Sequence, residues 1–143
     1  MLYLDTAVVL TLFSAEQTSR RVETWLAGRR QTLAFSDWGL TEAASALGIR
    51  HRRGELDKDG ALQTFEAVSA FASRSCDLLV CDAAHQREAQ DMLSGFELPL
   101  RAGDALHLAI SRRAGATLVT YDTQLVAAAR ALAIKVRDPL PRR

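Results

Sequence analysis

The chain has 143 residues, of which 48% are apolar and 24% charged, with a formal net charge of +1. That is the usual size of one domain, large enough to bury a core, and the composition is that of an ordinary globular protein. No run approaches the ~18 apolar residues of a membrane span, and the near-balance of 18 basic and 17 acidic residues argues neither for nor against a polyanionic partner.

In chain order, Met1–Asp5 reads as a short strand ending in an acid, and Thr6–Phe13 as an apolar segment turning into a helix. The start runs straight into Leu2-Tyr-Leu-Asp5, without the basic region and apolar stretch of a signal peptide, so the cytoplasm is the expected compartment. Glu16–Gly28 has the pattern of an amphipathic helix, with Val22, Trp25 and Leu26 at helical spacing and Gly28 as its stop. Thr32–Phe35 is a second strand, and Ser36 or Asp37 caps the next helix, which carries Leu40, Ala43, Ala44, Ala46 and Leu47 through to Arg53-Gly54. The Arg50-His-Arg52-Arg53 cluster at its end complements the helix dipole, with contact to RNA phosphates as the sharper alternative.

Asp57–Ser73 reads as a helix packed through Leu62, Phe65, Val68 and Phe71 or Ala72. Asp77–Val80 is an apolar strand candidate flanked by Cys76 and Cys81. On an extended chain these two point to opposite faces, and without zinc-ligand spacing around them they read as buried free thiols. Asp82 caps a helix running through Ala84, Ala89, Met92 and Leu93 to Gly95. A helix over 101–114 closed by Gly115, a strand at Thr117–Thr120, a helix at Thr123–Leu132 and a small strand at Ile134–Val136 complete the chain, with an irregular tail from about residue 137. Strand and helix alternate throughout. This predicts an α/β fold over 1–143, one domain with a central, mostly parallel sheet of about four or five short strands and helices on both faces.

Three acids follow or sit near strand ends, Asp5, Asp104 and Asp122, and Glu42 lies on the helix directly after the second strand. Asp104 belongs to Arg101-Ala-Gly-Asp104-Ala-Leu-His107-Leu-Ala-Ile110, the opening turns of an apolar helix, where backbone N–H groups and the macrodipole favour negative charge. Each acid alone has a simpler account as a cap or a solvated side chain. Together they gain meaning, because ligands of open parallel sheets bind outside the carboxyl ends of the strands, and all four acids fall on that side. Carboxylates gathered in one pocket repel and take up protons unless a cation joins them. An all-oxygen set suits Mg²⁺ or Mn²⁺, and such ions commonly serve phosphoryl chemistry by lowering the pKa of a bound water. No Ser–His pair, Walker loop or GxGxxG fingerprint competes. A haloacid-dehalogenase-like phosphatase with Asp5 as nucleophile would want a second Asp two residues on, where Ala7 stands.

Leu4-Asp5-Thr6, Thr41-Glu42-Ala43-Ala44, Gly103-Asp104-Ala-Leu-His107-Leu-Ala109 and Thr120-Tyr-Asp122 resemble the four acidic motifs of PIN-domain ribonucleases. Their order, spacing and total length are most similar to the VapC-type toxins of bacterial toxin–antitoxin pairs. The resemblance runs from Leu2 to about Val136, and the Asp-Ala-Leu-His-Leu-Ala run is its most specific piece. It implies that Asp5, Glu42, Asp104 and Asp122 are the catalytic acids and ligate Mg²⁺ or Mn²⁺, and that Thr6 and Thr120 are polar neighbours orienting the first and last acids. It implies hydrolysis of RNA phosphodiester bonds by metal-activated water, leaving 5′-phosphate and 3′-hydroxyl ends. It also implies a homodimer held inactive by a VapB-like antitoxin. His107 matches the pattern and reads as a packed helix residue; Phe13, Trp25 and Trp38 read as core rather than as a groove lining. The reading from another class is a catalytically silent PIN-like module that binds RNA or protein.

Overall fold

The computed structural model describes residues 1–15 and 17–140; Glu16, the expected start of the second helix, and the last three residues of the tail lie outside them. The elements are β1 (Leu2–Leu4), α1 (Thr6–Leu12), α2 (Gln17–Ala27), β2 (Leu33–Ser36), α3 (Asp37–Arg52), α4 (Lys58–Ser75), β3 (Cys76–Leu79), α5 (Ala83–Ser94), α6 (Ala102–Arg113), β4 (Thr117–Val119), α7 (Thr123–Ala131) and β5 (Val136–Arg137). Among the described residues the strands form one five-stranded sheet in the order β3-β2-β1-β4-β5, with every pairing parallel.

Side-chain alternation along such strands feeds two separate cores. Tyr3, Ala34 and Leu118 point to one face, against Leu108 and Ile110 of α6, Ala89 of α5 and Leu125 of α7. Leu2, Leu4, Phe35 and Val119 point to the other, against Val8 and Val9 of α1, Val22 of α2, Ala43 of α3 and Val68 of α4. Cys76 and Cys81 pack on opposite cores, as alternation requires. They are free thiols, but only partly buried.

The caps settle one open choice. Ser36 Oγ accepts from Gly39 N at 3.0 Å and is the cap of α3. The Asp37 carboxylate instead accepts from the backbone of Trp38 and, across the sheet end, from Cys81 N at 2.8 Å. Two expected core positions are exposed. Leu62 is 52% accessible on the solvent side of α4, whose packing rests on Val68 and Ala72, and Ala44 faces outward from α3. The last strand starts at Val136 rather than Ile134, because Ile134 still bonds back to Ala129 at the end of α7. None of these shifts moves the sheet.

What matters for function is the placement of β1 between β2 and β4. The chain leaves β1 toward one side of the sheet and later returns to the other. At such a switch point the loops beyond the carboxyl ends diverge and leave a crevice. Asp5 immediately follows β1, and Thr120 and Asp122 follow β4.

Candidate active site

Asp5 stands at the N-cap position of α1 but makes no side-chain cap bond. Its Oδ2 accepts instead from Thr120 Oγ1 at 2.8 Å, so this buried acid is tied to the end of the neighbouring strand. Asp104 lies in the first turn of α6, whose N-cap, Arg101, also makes no side-chain cap bond. Asp122 does cap: Oδ1 accepts from Gln124 N at 2.8 Å and Leu125 N at 3.1 Å at the start of α7. Glu42 sits one turn into α3, reaching back toward α1 and α6. All four acids, from four separate segments, line a single cleft of about 430 Å³, walled also by Leu10, Ala46, Ile49 and Tyr121.

Thr6 and Thr120 both touch acids: Thr120 reaches the first and the last, while Thr6 bonds Glu42 rather than Asp5. Thr120 holds Asp5, the first acid, while its Oγ1 accepts from the backbone N of Asp122. Thr6 Oγ1 donates to Glu42 Oε2 at 2.7 Å. The Thr120–Asp5 bond follows from the sheet order, which sets the residue after β4 beside the residue after β1.

His107 is a packed helix residue, 1% exposed, and it also reaches the acids. Its Nε2 lies 2.5 Å from Glu42 Oε2 and 3.7 Å from Asp5 Oδ1, while Nδ1 lies 2.7 Å from the Tyr3 hydroxyl. The i,i+3 spacing from Asp104 put both on one face of α6, a legible signal that pointed toward the site. Gly103 is a second residue that the motifs named without a role. A Cβ there would lie 2.6 Å from Glu42 Oε1 and 3.4 Å from Trp38 Cζ2, so the bare α-carbon makes the room that the Glu42 carboxylate occupies.

The charges pull against one another. Burial raises the Asp104 carboxyl above its ordinary value, and the Asp122 and Asp5 charges raise it further, against the Arg101 backbone and His107. For Glu42 burial also works upward, yet the hydrogen bond and charge of His107, with Thr6, outweigh it and leave the group lower than usual. For His107 burial works downward, but the Glu42 hydrogen bond and the charges of Asp5, Glu42 and Asp104 leave it raised.

Among the described residues no three carboxylate, imidazole or thiol groups stand in a ready-made ion-binding arrangement. The donor chemistry nevertheless fits a hard divalent cation. The cleft concentrates carboxylate oxygens with no thiol among its lining residues, and the upward push of Asp122 and Asp5 on Asp104 is the repulsion that a cation relieves. Asp5, Asp104 and Asp122 are the residues whose carboxylates could be drawn together around one, with Glu42 at the edge.

The remaining sequence candidates fall outside the cleft. Arg50, Arg52 and Arg53 are exposed at the end of α3, with Arg50 3.7 Å from Glu55, and Arg52 is about 15 Å along the helix from Glu42 at 1.5 Å per residue. Phe13 meets Phe71 edge-on, Trp25 lies beneath the Arg29 guanidinium at 4.2 Å, and Trp38 packs on the α6 side of the sheet. None of the three aromatics lines the cleft. No helix among the described residues is long and apolar enough to cross a membrane.

Comparison with known proteins gives a consistent result. The family model described as PIN domain matches residues 2–131. Ribonuclease VapC35 of Mycobacterium tuberculosis is 32% identical over 145 aligned residues, covering 97% of each chain. Among solved structures, Mycobacterium tuberculosis VapC20, described as a Sarcin-Ricin loop cleaving toxin, superposes with a TM-score of 0.72 at 17% identity, over 90% of this chain and 95% of that one. A toxin-antitoxin complex from Klebsiella pneumoniae superposes with a TM-score of 0.69 at 18% identity, over 99% and 100%. At these identities the two structures speak for the fold.

Proposed function

The chain belongs to the PIN-domain family, and from that premise we propose that it is the toxin of a type II toxin–antitoxin pair, a divalent-metal-dependent endoribonuclease. The observation that carries this reading is the convergence of Asp5, Glu42, Asp104 and Asp122 in one cleft beyond the carboxyl ends of β1 and β4. The name of the 32%-identical relative, a ribonuclease, supports the same chemistry.

Asp5, Asp104 and Asp122 would hold Mg²⁺, with Mn²⁺ as a substitute, and Glu42 would complete the set. When bound, the ion supplies positive charge for a backbone phosphate and acidifies water in the cleft. Thr120 keeps Asp5 turned inward, so the acid at the centre of the sheet does not relax into the cap of α1. Glu42, held below the usual carboxylate range, stays ionised at neutral pH and acts as an acceptor that orients water rather than as a strong base. Leu10, Ala46 and Ile49 form an apolar wall against which a ribose or base can rest. Water attacks the phosphate and the bond to the 3′ oxygen breaks, leaving 5′-phosphate and 3′-hydroxyl ends. Arg50 and Arg52, beyond the rim on the same helix as Glu42, and Arg53 at its C-cap would hold flanking phosphates as forked donors.

A VapB-like antitoxin is the proposed inhibitor, a homodimer the proposed assembly and the cytoplasm the proposed compartment; the likeness to a toxin–antitoxin complex supports the first of these. The deciding experiment incubates total bacterial RNA with purified protein in Mg²⁺, Mn²⁺ or EDTA, beside Asp104→Asn. Metal-dependent cuts at discrete sites that disappear in the variant support the nuclease. RNA binding without cleavage at any Mn²⁺ concentration would replace it with the silent binding module.

A further inference from the structure

We propose that Ser36, Tyr3 and His107 form a buried hydrogen-bonded line that fixes the Glu42 carboxylate in one orientation at the edge of the cleft. The inference rests on the nuclease reading of that cleft and adds three positioning residues to it.

The line is continuous. Gly39 N donates to Ser36 Oγ at 3.0 Å, Ser36 Oγ lies 2.7 Å from Tyr3 Oη, Tyr3 Oη lies 2.7 Å from His107 Nδ1, and His107 Nε2 lies 2.5 Å from Glu42 Oε2. Ser36 and Tyr3 are 0% exposed and His107 1%. Burying two hydroxyls and an imidazole is costly unless each is paired, and a core built only for packing has cheaper occupants for these positions. Here they pair with one another and end on an acid.

The direction of the last bond is fixed. An ionised carboxylate only accepts, so Nε2 carries a proton and donates. With a neutral ring, Nδ1 accepts from the Tyr3 hydroxyl, which accepts in turn from Ser36. With a charged ring the two upper bonds reverse. The bond to Glu42 is the same in both cases, so the positioning does not depend on the state of the ring.

Two donors therefore meet at Oε2, His107 Nε2 and, at 2.7 Å, Thr6 Oγ1, which lie side by side with 3.2 Å between them. Oε1 lies over the bare α-carbon of Gly103. A glutamate near an ion can otherwise bind through one oxygen or two and swing among rotamers. Held at Oε2 by two donors and with Oε1 against Gly103, it is kept in one orientation. Residues that orient a ligating group in this way typically change metal affinity by about 10–100-fold when removed.

The test is Mn²⁺ titration of the metal-free full chain by calorimetry and by the Mn²⁺ electron paramagnetic resonance signal, with RNA cleavage and thermal unfolding alongside. Four proteins are compared: wild type, Tyr3→Phe, His107→Gln and His107→Leu. Gln at 107 keeps an N–H that can reach Glu42; Leu keeps volume and loses the donor. The expected result is Mn²⁺ affinity about 10–100-fold weaker in His107→Leu, largely restored in His107→Gln, and intermediate in Tyr3→Phe. If His107→Leu does not fold, the other two variants still decide. Affinity equal to wild type in every folded variant, with only the unfolding midpoint lowered, overturns the positioning role and leaves the nuclease standing. Wild-type protein that neither binds Mn²⁺ nor cleaves RNA overturns both.

Discussion

Gly103→Ala is the sharpest single perturbation, because two effects of opposite sign meet at one atom. In a helix, Ala is better than Gly by roughly 0.5–1 kcal/mol, so propensity alone predicts a more stable protein. The added Cβ would sit 2.6 Å from Glu42 Oε1, a separation that no carbon and oxygen tolerate. A free glutamate would step aside at little cost. This one is bonded at Oε2 to His107 and Thr6, and displacing it gives up a charge-assisted bond of about 1.5–3 kcal/mol together with a weaker one of about 1 kcal/mol. The net expectation is destabilisation by about 1.5–3.5 kcal/mol, a fall in unfolding midpoint of several degrees for a domain of this size, and loss of RNA cleavage.

A double-mutant cycle isolates the cause. In a Glu42→Ala background the obstructing oxygen is gone, and Gly103→Ala should stabilise by roughly the propensity gain of 0.5–1 kcal/mol. The resulting coupling energy of about 2.5–4 kcal/mol is well above the ~0.5 kcal/mol error of additivity. The assay is thermal or urea unfolding of all four proteins in EDTA. A Gly103→Ala protein that is more stable than wild type and still cleaves would refute the reasoning, since it would mean that Glu42 is not held where the hydrogen bonds place it.

Asp104→Asn should reduce cleavage by more than about 100-fold, the scale on which removing charge stabilisation acts, while raising the metal-free unfolding midpoint, because Asp122 and Asp5 no longer repel a charge there; differential scanning calorimetry in EDTA reads the second effect, and a lower midpoint would contradict it. Asp122→Ala should lose both activity and about 1 kcal/mol of stability from the cap of α7, whereas Asp122→Asn should keep the cap and lose only activity. Equal stability losses in the two variants would remove the capping role. The pH profile of metal-free stability has a predicted shape. Glu42 is lowered, so its contribution is complete above its ordinary 4.5 and is lost as pH falls through its folded value. His107 is raised, so its contribution is complete below 6.5 and is lost as pH rises through its folded value. Unfolding midpoints should therefore decline from pH 6.5 upward in wild type and less so in His107→Leu; parallel curves would count against this assignment.

The α/β alternation was readable because the central strands are short apolar runs and most helices open on a recognisable cap, as at Asp57 and Asp82. The placement of Asp5 and Asp122 was readable for a related reason: the side of a parallel sheet on which an Asp after a strand must lie follows from chain direction alone. Glu42 in α3 and Asp104 on α6, which follows α5, were grouped with them through the motif resemblance. Which neighbour holds which acid was not readable. Thr120 bonds to Asp5 across 115 residues of sequence, and that pairing depends on β4 lying beside β1, a fact of strand order that no local pattern carries. The same limit applies to His107. Its place on an apolar helix face gave its burial correctly, but its link to Glu42 requires α3 and α6 to meet above the sheet end. Leu62 failed in the opposite way, since the pattern of α4 offers more apolar positions than the sheet has surface to cover.

The central position of β1 also bears on the order in which the molecule can come into being. Three residues near one end of the chain wait for partners at residues 33–34 and 117–119, and contacts so distant in sequence make for slow folding. During synthesis at about 5–20 residues per second, a growing chain holds Asp5 and Glu42 long before Asp104, Thr120 and Asp122 exist. The cleft is not complete until Asp122 has been made and β4 has docked against β1. On the proposed nuclease reading, the growing chain lacks a complete acidic cleft while it is being made, and an antitoxin that meets the emerging α1–α4 half has that interval in which to bind.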